Sequence, residues 1–189
     1  MRQLPASDQQ RLLKIARESV EAHLRQQEFH APETLEGLLA ENHGAFVSIH
    51  KGNELRGCIG NLSPTLTLSR TVADCAVAAA VEDPRFPPLT VDELEKVEFE
   101  ISVLSPFEIV DNVETIEIGR HGLLISKRSA RGLLLPQVPV TYGWGRERFL
   151  AETCRKAGLK PDEWKEGAVI FSFTADVFGE TSIGEKAAS

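Results

Sequence analysis

The sequence has few cysteines and lacks the short motifs that mark common cofactor and metal sites. Cys58, Cys75 and Cys154 are an odd number of thiols without a CxxC pair, so neither a disulfide framework nor a typical zinc site is expected. The sequence also contains no nucleotide-binding loop and no glycine-rich dinucleotide fingerprint. We therefore expect free thiols, no cofactor and no metal.

Long apolar runs and long basic runs are also missing. The first ten residues carry no apolar segment of the signal-peptide type, and no apolar run approaches the length that spans a bilayer. Lys and Arg together number 21 against 28 for Asp and Glu, which gives a net charge of −7. We expect a cytoplasmic protein that does not associate with membranes. Nucleic acid is an unsuitable partner, because affinity for phosphate backbones comes from clustered Lys and Arg.

What the sequence does contain is a succession of helices and hairpins. Helical spacing of apolar residues predicts a surface helix over residues 9–26, with Ser7 and Gln10 as a capping box. Alternation on both sides of a Gly-Asn turn predicts a hairpin over residues 45–51 and 54–60.

Further along the chain, Ser63 and Pro64 predict the start of a helix that runs to about Val81, and Thr90 with Glu93 predicts a second capping box. The remaining pattern predicts a strand over 97–104, a hairpin over 123–126 and 132–135, an extended segment at 136–139, a helix over 144–157, a last strand over 168–177 and a frayed tail at 181–189. Because no regular βαβ succession is present, we expect an α+β fold with a mainly antiparallel sheet and flanking helices.

The hexapeptide LRGCIG at residues 55–60 is the most unusual stretch. Glycines inside a strand mark a bulge or a close approach by a ligand or another backbone. With regular alternation, Arg56 and Cys58 share a face of the strand. A guanidinium beside a thiol favours the thiolate and so lowers the thiol pKa from the free-thiol value of about 8.5. The alternative is that Cys58 is a small buried residue in a tight strand.

Four more segments follow LRGCIG in order: DPRFPPL at 83–89, EISVLSP at 100–106, LLPQV at 134–138 and FLAETCRKAGL at 149–159. Together they resemble the AMMECR domain family, whose bacterial and archaeal members are called the A component of the AmmeMemoRadiSam system. The resemblance covers nearly the whole chain, so residues 1–189 are expected to form one AMMECR-type domain. It implies a mixed α+β fold of two subdomains of unequal size, with a cleft between them near LRGCIG, and no settled reaction.

The candidate catalytic residues are a nucleophile and two proton carriers. Cys58 is the expected nucleophile, and either Glu100 or His121 is expected to move protons. His121 stands between glycines, where it is exposed enough to act near neutral pH, although an ordinary loop histidine is the simpler interpretation. A solvated strand carboxylate is the simpler interpretation of Glu100, and only the resemblance places it above Glu98.

The candidate substrate-binding residues are polar or small groups from the family-like segments: Arg56, Gly57, Gly60, Asp83, Arg85, Gln137 and Cys154. For Asp83 and Arg85 the alternative is that they pair with each other in a stiff proline-rich loop. For Cys154 one interpretation is a core-facing helix residue, and the other, which the resemblance implies, is a thiol that meets Cys58 across the cleft.

Three hypotheses about function remain open. The first is a thiol-dependent enzyme that acts on an electrophilic carbon of an unidentified small molecule or peptide. The second is a non-catalytic binding or adaptor module that works with Memo-like and radical SAM proteins, as the resemblance implies. The third and weakest is a metal site of Cys58, Cys154 and His121, because these residues lack the short paired spacing of zinc ligands.

Overall fold

The structure, a computed structural model, describes residues 3–30, 36–62 and 65–181. It is a mixed α+β fold with antiparallel sheets, which confirms the predicted class. The chain divides into two compact units. The first unit contains the chain up to Val103 and again from Asp176, and the second unit contains Leu104–Ala175. Residues 182–189 of the predicted frayed tail lie outside the described residues.

Five helices and eight strands are found in the described part of the chain. The helices are α1 (Ala6–Leu24), α2 (Leu68–Val81), α3 (Val91–Leu94), α4 (Gln137–Thr141) and α5 (Arg146–Lys156). The strands are β1 (Ala45–Lys51), β2 (Glu54–Asn61), β3 (Glu98–Leu104), β4 (Glu108–Ile109), β5 (Gly122–Lys127), β6 (Ala130–Leu134), β7 (Val169–Phe173) and β8 (Ala175–Gly179).

The sheet of the first unit has the strand order β2-β1-β3-β8, and β1 pairs antiparallel with both β2 and β3. Val47 and Ile49 of β1 and Ile101 of β3 are fully buried, and they share a core with Leu12 of α1 and Val72 of α2. Strand alternation places the intervening polar residues of β1 and β3 on the opposite face of the sheet. This second, more polar face is the one that carries the candidate chemistry.

Helix α2 lies unusually close to strand β2 at Gly57. A Cβ atom added to Gly57 would stand 2.1 Å from the carbonyl oxygen of Ala79, which is far inside any real contact distance. Because the obstructing atom belongs to the helix backbone, no side-chain rotation can make room. Gly57 is therefore required by helix packing.

The sheet of the second unit has the order β4-β7-β5-β6, and α5 packs against it. Phe149, Leu150 and Cys154 of α5 are fully buried together with Ile125 of β5, and Ile170 of β7 joins the same cluster. The two units thus have separate hydrophobic cores.

Two of the three predicted helix starts can be assessed. The Thr90–Glu93 capping box is confirmed, with both reciprocal hydrogen bonds present. The Ser7–Gln10 box is wrong, because the N-cap of α1 is Pro5, two residues before Ser7, and no side chain caps the helix. Residues 63 and 64 lie outside the described residues, and α2 begins later than predicted, capped by the Thr67 side chain.

The predicted extended segment at residues 136–139 is wrong, because α4 occupies this stretch. Pro136 has φ −57° and ψ −33°, which already suit a helix, and Pro139 stands in the first turn, where a missing N–H costs nothing. The predicted last strand over 168–177 is also wrong as one element. It breaks at Thr174 into β7 and β8, which join different sheets.

At the start of β7, Ile170 is buried at 6% exposure, whereas the neighbouring Val169 is 44% exposed. Among the described residues no helix is both long enough and apolar enough to cross a bilayer.

Gly57→Ala should lower the free energy of unfolding by about 2 kcal/mol, because its methyl group meets helix backbone that cannot rotate away. Gly60→Ala is the matched variant on the same strand. Its methyl group meets the Phe46 ring, 2.2 Å from the nearest ring atom, and a ring can turn. Urea denaturation of both variants should show the larger loss for Gly57→Ala, and equal losses would contradict this account of the close approach.

Candidate functional site

Cys58 lies on β2, the edge strand of the first sheet, and it is half-buried, whereas Cys75 and Cys154 are both buried. Its thiol accepts a hydrogen bond from the hydroxyl of Ser48 on β1, with Oγ and Sγ 3.2 Å apart. Register explains the contact, since Ser48 and Cys58 are direct partners across the β1–β2 pair. Ser48 is thus the hydrogen-bond donor that contacts the sulfur from the neighbouring strand.

The free edge of β2 at Cys58 is covered by the side chains of Asp83 and Arg85. The Cys58 N–H donates to Asp83 Oδ2 at 2.9 Å, and Arg85 Nη2 donates to the Cys58 carbonyl oxygen at 3.3 Å. An edge strand otherwise exposes unpaired N–H and C=O groups. The two side chains replace a neighbouring strand at this one residue and thereby fix the backbone that carries the thiol.

Asp83 and Arg85 also bind each other, as one of the sequence alternatives predicts. Arg85 Nε donates to Oδ1 at 2.9 Å and Nη2 donates to Oδ2 at 2.6 Å, and only 2% of the Asp83 side chain is exposed. Hydrogen bonds from Arg85, and then the N–H of Cys58, hold the pKa of the Asp83 carboxyl well below its usual range. The pKa of Arg85 is raised, mainly by Asp83 and to a smaller extent by the charge of Cys58.

Arg56 does not have the role that the alternation predicts. The β1–β2 register shifts between Ile49 and His50, so that Ile49 pairs with Gly57 and His50 pairs with Leu55. Arg56 is therefore the extra residue of a β-bulge, and regular alternation does not carry over from it to Cys58.

The Arg56 guanidinium is instead bound by the proline-rich loop and by α3. It donates to the Pro87 carbonyl oxygen at 2.8 Å and to both carboxylate oxygens of Glu93 at 3.3 and 3.2 Å. Hydrogen bonds from Arg56 lower the pKa of Glu93. Arg56 thus anchors the proline-rich loop and α3 to β2. Arg85 is the cation whose pKa is raised in part by the charge of Cys58.

Glu100 lies in the same cross-strand row as the thiol. Ser48 pairs with Cys58 on one side and with Glu100 of β3 on the other, so the three side chains stand on one face of three adjacent strands. The candidate Glu100 is thereby placed two strand spacings from Cys58, with Ser48 between them. Ser48 is not among the site residues predicted from the sequence.

The two glycines of the hexapeptide do not leave open space for a ligand. The side-chain position of Gly57 is occupied by the Ala79 carbonyl, and that of Gly60 is occupied by the Phe46 ring. Packing against Ala79 and Phe46 therefore explains why both residues are glycine. That they bind substrate stays a prediction.

The other three candidates belong to the second unit. His121 Nδ1 accepts a hydrogen bond from the Glu117 N–H at 3.1 Å, which leaves Nε2 as the protonated nitrogen in the neutral ring. Gln137 begins α4, and its Oε1 is buried without a partner among the described residues. Cys154 has no exposed surface, and burial raises the pKa of its thiol. It is a core residue of its own unit.

The metal hypothesis gains no support from the geometry. Within residues 3–30, 36–62 and 65–181, no three His, Cys, Asp or Glu side chains are grouped as metal ligands. A ligand set that includes Cys154 would also require a thiol that is enclosed in the core of the second unit.

Comparison with known proteins places this architecture in a family. The family model described as AMMECR1 matches residues 13–178. The chain belongs to the AMMECR1 family. Its relatives include Protein PF1979 of Pyrococcus furiosus, which is 41% identical over 89% of this chain and 86% of the relative, and Protein MJ0810 of Methanocaldococcus jannaschii, which is 46% identical over 74% of each.

A solved structure also matches this AMMECR1-family chain. The structure is described as the crystal structure of uncharacterized protein PH0010 from Pyrococcus horikoshii. It is 40% identical, covers 90% of both chains and superposes with a TM-score of 0.85. Family membership and fold therefore agree with the resemblance carried by LRGCIG and the four later segments.

Asp83→Asn should lower the free energy of unfolding by about 2 kcal/mol at pH 7, because the substitution weakens charge-assisted hydrogen bonds to Arg85 and Cys58. The folded state lowers the Asp83 pKa, so the carboxylate stabilises the fold above its unfolded pKa and loses this contribution as pH falls. The difference between wild type and variant, measured by urea denaturation, should therefore shrink below about pH 4.

Asp74→Asn is the control for this experiment. Asp74 pairs with Arg70 at 2.9 Å in an exposed i,i+4 arrangement, with 47% of its side chain accessible. Such pairs contribute less than about 0.5 kcal/mol. A destabilisation by Asp83→Asn that is no larger than that of Asp74→Asn, or that is independent of pH, would contradict the assigned role of Asp83.

Proposed function

We propose that this AMMECR1-family protein is a thiol-dependent enzyme in which Cys58 is the nucleophile. The observation that carries the proposal is the hydrogen bond from Ser48 Oγ to Cys58 Sγ, at 3.2 Å, within a row that continues to Glu100. Cys58 is also the one cysteine of the three that is not buried. Activation of a thiol requires an adjacent base or a stabilising partner on the sulfur, and Ser48 is that partner here, with Glu100 one strand beyond it.

In the proposed reaction the sulfur of Cys58 adds to an electrophilic carbon of the substrate. For the thiol proton to reach Glu100 the Ser48 hydroxyl rotates, so that it accepts from the thiol and donates to the carboxylate, and Glu100 then returns the proton to the leaving group. Water hydrolyses the resulting S–C bond and restores the thiol, or a second nucleophile takes up the transferred group. Each step moves one proton and one leaving group, and none requires an oxidant.

Arg85 contributes to this proposal through charge and position. Its guanidinium is 53% exposed and bonded to the carbonyl oxygen of Cys58, and its pKa responds to the charge of that residue. A cation in this position favours the thiolate and attracts an anionic or polarised substrate group. For His121 and Gln137, proton transfer and substrate orientation stay predictions.

The second candidate function is a non-catalytic binding module that acts with Memo-like and radical SAM proteins. One surface of the second unit favours it: Val140 and Tyr142 are 59% and 65% exposed, and the Tyr142 ring stacks on Trp144 with centroids 4.9 Å apart. Exposed aromatic groups of this kind are enriched in protein interfaces. Co-elution with either partner that is lost in Tyr142→Ala, together with an unreactive Cys58, would favour this function over the enzyme.

Native alkylation of the three cysteines tests the enzyme proposal. At pH 8, iodoacetamide should label Cys58 first, because Cys154 is fully buried and burial raises the pKa of Cys75 to about 11. Ser48→Ala should slow Cys58 labelling about fivefold, which is the effect of one hydrogen bond of about 1 kcal/mol. Peptide mapping by mass spectrometry measures the rate at each thiol.

Ser126→Ala is the matched control, because Ser126 is also a half-buried strand serine but belongs to β5 of the second unit. It should leave Cys58 labelling unchanged, and Cys58→Ser should remove the fast phase. Labelling of Cys58 only after unfolding, or equal labelling rates in wild type and Ser48→Ala, would mean that LRGCIG has a purely structural role. Either result would favour the binding-module function.

A further inference from the structure

Strand β6 forms one edge of the second sheet. In the order β4-β7-β5-β6 it pairs with β5 and has no second neighbouring strand within the described chain. The strand at the opposite edge, β4, is only two residues long. An uncovered edge presents N–H and C=O groups to which another extended chain can bind. β6 is therefore the longer free edge of this sheet.

The β5–β6 register shows which backbone groups face that free edge. A two-residue turn joins the strands, so the pair that closes it, Lys127 and Ala130, is hydrogen-bonded. Because hydrogen bonding alternates along an antiparallel ladder, the N–H and C=O groups of Arg131 and Leu133 point away from β5. None of these four groups has a hydrogen-bond partner among the described residues. They are spaced as one added strand requires.

The two faces of the sheet beside this edge carry different groups. Gly132 faces α5, since a Cβ atom added to it would stand 2.2 Å from the N atom of Ala157, directly after the helix. Alternation places the side chains of Arg131 and Leu133 on the opposite face. Lys156, the last residue of α5, lies on the Gly132 side. A strand added to β6 would therefore have a cation on each face.

The cations at this edge are not balanced by carboxylates. Arg128 of the turn, Arg131 and Lys156 are exposed, and none of them forms an ion pair with a described residue. Lys127, by contrast, is paired with Glu163 at 3.6 Å. The protein as a whole has a net charge of −7, so this edge differs in sign from the rest of the molecule. Charge complementarity selects an acidic partner for it.

A second copy of β6 is an unsuitable partner for the same reason. Pairing of two β6 strands would bring Arg128 and Arg131 of one copy close to the same residues of the other. Like charges that face each other across a ladder are destabilising, and charged side chains on an edge strand prevent pairing of identical chains. The same side chains favour a strand that carries carboxylates.

We propose that the edge of β6 binds an acidic segment of another protein, which adds to the second sheet as an extended strand. In antiparallel pairing, an apolar residue of the segment lies opposite Leu133, and a carboxylate two positions later lies opposite Arg131. A further carboxylate two positions on reaches Arg128 of the turn. The site does not depend on the chemistry proposed for Cys58, because all of its residues belong to the second unit.

Fluorescence anisotropy with the fluorescein-labelled peptide SVTETE, at about 20 mM salt, tests the proposal. The peptide should bind saturably. N-methylation of its valine and first glutamate, whose N–H groups face β6, should abolish binding, whereas N-methylation of its two threonines should not. Arg131→Glu should weaken binding at least about fivefold, because it replaces an attractive charge by a repulsive one.

Lys14→Glu is the matched control, because it makes the same change in net charge on α1 of the first unit, where the Lys14 side chain is 73% exposed. It should bind the peptide like wild type, and circular dichroism verifies that both variants are folded. The proposal would be overturned by an absence of saturable binding, by equal affinity for SVTKTK, or by equal binding of the two methylated peptides. Unchanged binding by Arg131→Glu, or tighter binding of a single-stranded DNA decamer than of SVTETE, would also overturn it.

Discussion

The buried carboxylate of Asp83 is the interaction on which the LRGCIG region depends. A carboxylate with 2% exposed surface is costly unless every oxygen is bonded, and here Arg85 and the Cys58 N–H bond it. The same bonds tie the proline-rich loop to the edge of β2. The position of the thiol is therefore set by a residue 25 positions away in sequence. The backbone at Cys58 is held as firmly as the ion pair of Asp83 and Arg85.

Local patterns predicted the local elements well. The Thr90–Glu93 box, the hairpin over 45–51 and 54–60, and helix α1 all depend on residues a few positions apart, so the sequence contains their determinants. The break of the last strand at Thr174 was not predictable in this way. No glycine or proline marks it, and it follows from β7 and β8 joining different sheets, which is a property of the whole chain.

The candidate site was predictable only in part, and the bulge at Arg56 is the reason. A regular hairpin closed by two residues would pair Ser48 with Gly57, whereas the extra residue moves the pairing to Cys58. Glycine in the strand signalled a bulge or a close approach, and both are present, but the sequence did not specify which residue is inserted. The thiol's hydroxyl donor was therefore missed, and the neighbouring cation was assigned to Arg56 although Arg85 is the one that binds the Cys58 backbone.

Glu100 sets the distance over which the proposed proton transfer on the polar face of the first sheet has to act. It belongs to the row that begins at Cys58, with Ser48 between them. Strands lie about 4.8 Å apart, so the thiol and the carboxylate are separated by about 10 Å of sheet surface. Proton transfer needs a contact of about 3 Å, so Glu100 can serve the thiol only through Ser48, and the proposed chemistry therefore depends on the serine.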